Sequence, residues 1–153
     1  MGLTIGALID RAAAAEPAKI TLVNEHVHLT RAELRHYVNR LAAGLLRLGI
    51  QKGDAVLLQL PNWAEFVYSY FALQKIGAVP VLLISGYRRA EVEHLSRNTE
   101  ATAWIVPQAY LKMDYPSWIG AGREANPQLR QIISVRAQDE DANFTARLEV
   151  LMA

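Results

Sequence analysis

Residues 53–107 constrain the fold more than any other stretch of this chain. They read GDAVLLQLPNWAEFVYSYFALQKIGAVPVLLISGYRRAEVEHLSRNTEATAWIVP. Two apolar runs, residues 56–60 and 79–84, are short, branched or leucine-rich, and closed by turn residues. Between them lies a longer run with helical spacing. A second helical run after Arg88 leads to a third short apolar run at 101–106. The period switches from continuous apolar runs to a helical repeat and back. This predicts an α/β fold, a mainly parallel sheet with crossover helices.

The flanks read as an approach to this core and an exit from it. Thr4 is placed to cap a first helix reaching Ala15, with Leu3, Ala7, Leu8 and Ala12 as its apolar face. Glu16-Pro17 stops it. Strands are expected at 19–23 and 26–29, joined by a turn at Asn24-Glu25. Val27 and Leu29 point one way and His26 and His28 the other. Thr30 and Glu33 form a capping box. The helix it opens runs to Leu48, with Leu34, Val38, Leu41, Leu45 and Leu48 on one face, broadened by Tyr37, Ala42 and Leu46. Gly49 ends it as a left-handed cap. Asn62 and Glu65 repeat the capping spacing for the next helix. That helix carries Phe66, Tyr70, Leu73 and Ile76, with Trp63, Val67 and Phe71 beside them, and reads as core or domain interface. Gly77 ends it. A helix from about Arg89 to Asn98 or Thr99 turns Val92 and Leu95 to the sheet. A short helix at 117–124 and a strand at 131–135 follow. The expected division is an α/β portion at 1–136, then a charged linker and tail at 137–153.

Sixteen basic and fifteen acidic side chains give a net charge of +1. That balance offers no steering field for nucleic acid or anionic lipid. Arg31, Arg35, Arg40 and Arg47 therefore read as a solubilising helix surface. With no cysteine, disulfides, zinc-thiolate sites and thiol catalysis drop out. Asp10 and Arg11 interrupt the first apolar run, so residues 1–16 do not read as a signal peptide, and no stretch is apolar enough to span a membrane. The expectation is a cytoplasmic protein with no nucleic-acid or membrane partner.

No self-sufficient active site is legible. There is no GxGxxG, no Walker glycine loop, no serine elbow and no HExxH. His26 and His28 lack an indicated third ligand. Glu93 and His94 are adjacent on a helix and diverge by about a hundred degrees, while His36 has no evident carboxylate partner. No catalytic residue and no metal ligand is assigned. The one loop that invites function is Gly86-Tyr87-Arg88. It follows the C-terminal end of a predicted parallel strand, where open α/β sheets place ligands. Arg88 there is the candidate substrate-binding residue, facing a phosphate or a carboxylate. A structural role stays open beside it.

Longer motifs add to this. LTRAELRHYVNRLAAGLLRLGI, from Leu29, and LQKIGAVPV, at 73–81, resemble the first two motifs of adenylate-forming enzymes. The chain also has QLPN at 59–62, Glu65-Phe66, FALQKIGAVPV at 71–81, IVPQAY at 105–110 and Asp114-Tyr115. This series is similar to aryl-acid AMP ligases of the 2,3-dihydroxybenzoate type, over roughly residues 3–136. Where that pattern has a His-Arg pair, this chain has Tyr87-Arg88. The family's SGTTGxPK phosphate loop, its later ATP-binding aspartate and its small domain with a catalytic lysine have no counterpart in these 153 residues.

The resemblance implies the large N-terminal domain of an enzyme that activates a carboxylic acid with Mg-ATP. The acyl-AMP then reacts with the thiol of CoA or of a carrier protein's phosphopantetheine. It also implies an N-terminal fragment, inactive alone, without ATP, Mg or CoA of its own. Its partner would be the rest of the ligase domain, and a homodimer could form through surface left bare. The alternatives are a short degenerate homologue that scaffolds a complex and a small nucleotide-binding α/β protein.

Overall fold

The computed structural model describes residues 4–24 and 26–153. Leu3 and Glu25, and with Glu25 half of the expected Asn24-Glu25 turn, lie outside the described residues. The chain runs α1 (Ile5–Ala15), β1 (Ile20–Val23), β2 (His28–Thr30), α2 (Arg31–Arg47), β3 (Ala55–Leu58), α3 (Ala64–Ile76), β4 (Val79–Leu82), α4 (Arg89–Asn98), β5 (Ala103–Pro107), α5 (Tyr115–Ala125), β6 (Gln131–Val135), β7 (Ala146–Arg147) and α6 (Leu148–Leu151). Five strands form one sheet in the order β4-β3-β5-β6-β7, and every pairing in it is parallel. The antiparallel β1-β2 ribbon is a separate two-stranded sheet.

The period-2 geometry of a strand splits its side chains between two layers. Val56 and Leu58 of β3, Ala103 and Ile105 of β5, and Ile133 and Val135 of β6 join a core shared with α1, α2, α3 and α6. Leu57, Trp104, Val106 and Ile132 join a second core, under α4 and α5. Both sheet faces are covered, so the central strands are continuous apolar runs.

The α2 capping box forms as its spacing dictates. Glu33 N donates to Thr30 Oγ1 at 3.3 Å, and Glu33 Oε2 accepts from Thr30 N at 2.8 Å. Gly49 has φ +93. Ile50 N then donates to Leu45 O, and Ile50 folds back into the core with 1% exposure.

Some expectations change. In α1 the buried residues are Gly6, Ile9 and Ala13, not the expected Ala7, Leu8 and Ala12. Helix packing sets this rotation. α1 lies on α3, and a 2.7 Å ion pair between Asp10 and Lys75 holds the crossing. Tyr37 and Leu46 of α2 are exposed. Asn62 does not cap α3: Trp63 holds the N-cap position without a side-chain cap, and Glu65 is drawn to Arg136 instead. β4 is an edge strand, with Val79 and Leu82 half exposed. Residues 146–151, expected within a tail, are part of the fold. Ser134 pairs with Arg147, and Leu148 is fully buried against the first core.

Candidate functional site

The C-terminal ends of β3, β4, β5 and β6 share one edge of the sheet, because all four strands run parallel. From β3 the chain crosses by α3, on the α1–α2 side, to β4. From β5 it crosses by α5, on the opposite face, to β6. The chain thus diverges between the ends of β3 and β5. Such switch points leave a crevice in open α/β sheets.

A cavity of about 490 Å³ lies there, lined by Trp63 after β3, Gln108 after β5, and Arg136 and Asp139 after β6. Arg136 stacks over Trp63 at 3.9 Å, and its Nε and Nη2 donate to the two Glu65 oxygens at 2.8 and 3.0 Å. The Glu65 carboxylate pushes the guanidinium pKa up. Trp63 meets Tyr110 edge-on at 5.7 Å. Gln108 Nε2 donates to Asp139 O, and Gln108 Oε1 accepts from Gln138 N. These polar groups are spent on one another, so the crevice is a set of ties between loops.

The Gly86-Tyr87-Arg88 loop lies beside the crevice, after edge strand β4. Arg88 is exposed at the start of α4, where its N–H donates to Glu91 Oε2 at 3.0 Å. A groove of about 640 Å³ separates this loop from the one after β5, lined by Gly86, Arg88, Leu111, Lys112 and Met113. Arg89 is paired with Glu93 at 2.6 Å. Among the described residues, neither Arg88 nor Lys112 has a carboxylate within ion-pair reach. Two cations that line one groove with Leu111 and Met113 suit an anionic group carried on an apolar body. Lys112 was not legible as part of this site, because β5 and β4 become near neighbours only through the sheet.

Gln59 underlies the loop. It is fully buried at the end of β3, and its Nε2 donates to Tyr87 O at 2.8 Å and to Ile84 O at 3.4 Å. Its Oε1 is buried without a partner. Flipping the amide would set that oxygen against two carbonyls, so the network fixes the orientation. An orphaned buried acceptor costs about 1–3 kcal/mol.

The other chemistry-bearing residues go to structure. Asp114 caps α5, accepting from Ser117 N. Tyr115 is buried between Trp104 and Trp118, and burial pushes its hydroxyl up to about 12. His94 meets Asn98 at 3.0 Å. Among the described residues no three His, Cys, Asp or Glu side chains gather as a metal site. No helix among them is long and apolar enough to cross a membrane.

The family model described as "AMP-binding enzyme" matches residues 9–150. The chain is 37% identical over 139 residues to the 2,3-dihydroxybenzoate-AMP ligase of Bacillus subtilis (strain 168), covering 91% of this chain and 26% of that protein. It is 35% identical over 137 residues to the salicyl-AMP ligase / salicyl-S-ArCP synthetase of Mycobacterium tuberculosis, covering 86% and 24%. The apo structure of Mycobacterium smegmatis MbtA superposes with a TM-score of 0.87 at 30% identity, over 99% of this chain and 27% of that one. The chain spans about a quarter of the length of these proteins.

Proposed function

Because this chain belongs to the family of AMP-binding enzymes, we propose that it forms the N-terminal part of an ATP-dependent, AMP-forming carboxylic acid ligase. The whole enzyme joins an acid to a thiol through an acyl-adenylate, releasing pyrophosphate and then AMP. The observation that carries this reading is the family match across 9–150, unbroken from the first helix to the last. The acid is read as aromatic, the class named for two relatives. The acceptor thiol is that of CoA or of a carrier protein's phosphopantetheine.

The residues present do not fit ATP and Mg as a site of their own. A triphosphate needs a cradle of backbone N–H groups and a positioned cation. Among the described residues, the glycines with positive φ are Gly49, Gly53 and Gly77, which precede β3 and β4. They therefore lie at the edge opposite the candidate site. The described residues gather no carboxylate cluster for a divalent ion. No step is assigned to this portion. Its role is to frame the site: the sheet and its two helical layers present the C-terminal loops. Arg88, helped by Lys112, holds an anionic group of a substrate there, a carboxylate or a phosphate.

A chimera tests the reading. This chain replaces the matching quarter of the Bacillus subtilis relative, and acid-dependent ATP–pyrophosphate exchange is measured with 2,3-dihydroxybenzoate, salicylate and benzoate. Exchange above that of a no-acid control is expected. A folded chimera that exchanges with none of the acids sinks the proposal. The 153-residue chain alone should show no exchange, and micromolar ATP binding by it in isothermal titration would contradict this division of labour.

A further inference from the structure

We infer that Gln59 is the positioning residue for the Arg88 loop: its amide, locked inside the end of β3, fixes residues 84–88 and so the place of the Arg88 side chain. The inference rests on the reading of Arg88 as an anion-binding residue. Position and chemistry are mismatched at Gln59. β3 is otherwise apolar and buried on both faces. A side chain with no exposure, one residue beyond Leu58, needs only to pack, and leucine or methionine would do so without leaving a polar atom bare. Gln59 instead leaves Oε1 unpartnered and uses both of its N–H groups on one loop, at Ile84 O and Tyr87 O. These two carbonyls bracket Ser85 and Gly86, the residues between edge strand and helix.

The loop has few other anchors. Tyr87 N donates back to Ile84 O at 2.9 Å, which closes the turn on itself. Leu83 N donates to Leu58 O at its start, and Arg88 N reaches forward to Glu91. Ile84 is 63% exposed and contributes little packing. Beside the half-buried Tyr87 ring, which packs against the second core, Gln59 is therefore the side-chain hydrogen-bond tie from the sheet interior to the loop beyond Leu83. It reaches the main chain at the residue just before Arg88. A buried polar group kept at the cost of an unsatisfied atom is the kind of local inconsistency that marks function over packing.

The test uses Gln59→Met, which keeps the volume, removes both donors and removes the orphan oxygen. Backbone hydrogen exchange and titration with inorganic pyrophosphate are measured on the 153-residue protein, beside a control, Ile119→Val, in the same core layer. The expected result is at least tenfold faster exchange confined to residues 84–92, at least fivefold weaker pyrophosphate binding, and a Tm within a few degrees of the parent. Ile119→Val should lower Tm while leaving both loop exchange and binding unchanged. Unchanged exchange at 84–92 in Gln59→Met overturns the inference. So does faster exchange spread over the whole sheet in step with a fall in Tm, which a purely structural residue would give. Should the unsubstituted protein bind no pyrophosphate while Gln59→Met still frees the loop, the positioning role is supported and the Arg88 reading falls.

Discussion

At the scale of single residues, small contacts decide what the fold can hold. Gly44 faces α6, and a Cβ there would meet the Leu151 carbonyl, with its carbon only 2.8 Å away. Arg47 Nη2 donates to the same carbonyl at 3.2 Å. The helix made by residues 31–47 thus accepts the last helix only because one position carries no side chain. Gly44→Val should cost about 1–3 kcal/mol through overpacking. It should also raise hydrogen exchange across residues 146–153 before the rest of the protein loosens, as resolved by exchange mass spectrometry. Neither Gly44 nor Gln59 announces itself in the sequence. A glycine inside a helical pattern reads as a weak helix former, and a glutamine after an apolar run reads as the end of a strand. Their roles depend on what lies opposite them, 107 and 28 residues further along the chain for Leu151 and Tyr87.

At the scale of elements, local rules were legible where the partner lies within a turn. The Thr30–Glu33 box, the Gly77 cap (φ +77) and the strand at Gln131–Val135 follow their sequence signals. Thr30→Ala should cost about 1 kcal/mol at neutral pH, measured by urea unfolding. The Glu33 carboxyl is held below its ordinary value, first by the Thr30 backbone N–H and then by the hydroxyl. A depressed folded pKa means that the stabilisation is complete above the unfolded value and disappears as pH falls through the folded one. The gap between Thr30→Ala and the parent should therefore narrow on acidification, and a gap that widens would refute this account of the box. Element rules failed where a distant partner competed. The Asn62–Glu65 spacing looked like a second cap, but Arg136, 71 residues away from Glu65, takes that carboxylate.

At the scale of the whole molecule, the two terminal strands of the sheet differ. β7 is only two residues long and runs directly into α6. β4 leaves Val79, Leu82 and, just beyond it, Ile84 exposed. Val79 N donates to Asp54 O, just before β3, and Leu83 N to Leu58 O within it, so by alternation position 80 turns its backbone nitrogen outward, and Pro80 has no N–H to offer there. Proline at an edge strand blunts strand addition. Copies that associate through this flank would do so by side-chain packing. Pro80→Val restores an outward donor and should increase self-association with rising concentration in sedimentation velocity; identical behaviour of the two proteins would count against this role for Pro80. Sequence by itself determined the strand–helix alternation, the parallel sheet, most helix ends and the family motifs. These depend on periodicity and on contacts a few residues apart. Tertiary structure alone decided that the strand at 79–82 is an edge, that residues 146–151 belong to the core layer, which face α1 buries, and that Gln59 and Lys112 join Arg88 at one end of the sheet. Strand order and helix rotation follow from burying apolar area between elements far apart in the chain, and a residue's neighbours across a sheet leave no trace in its own local pattern.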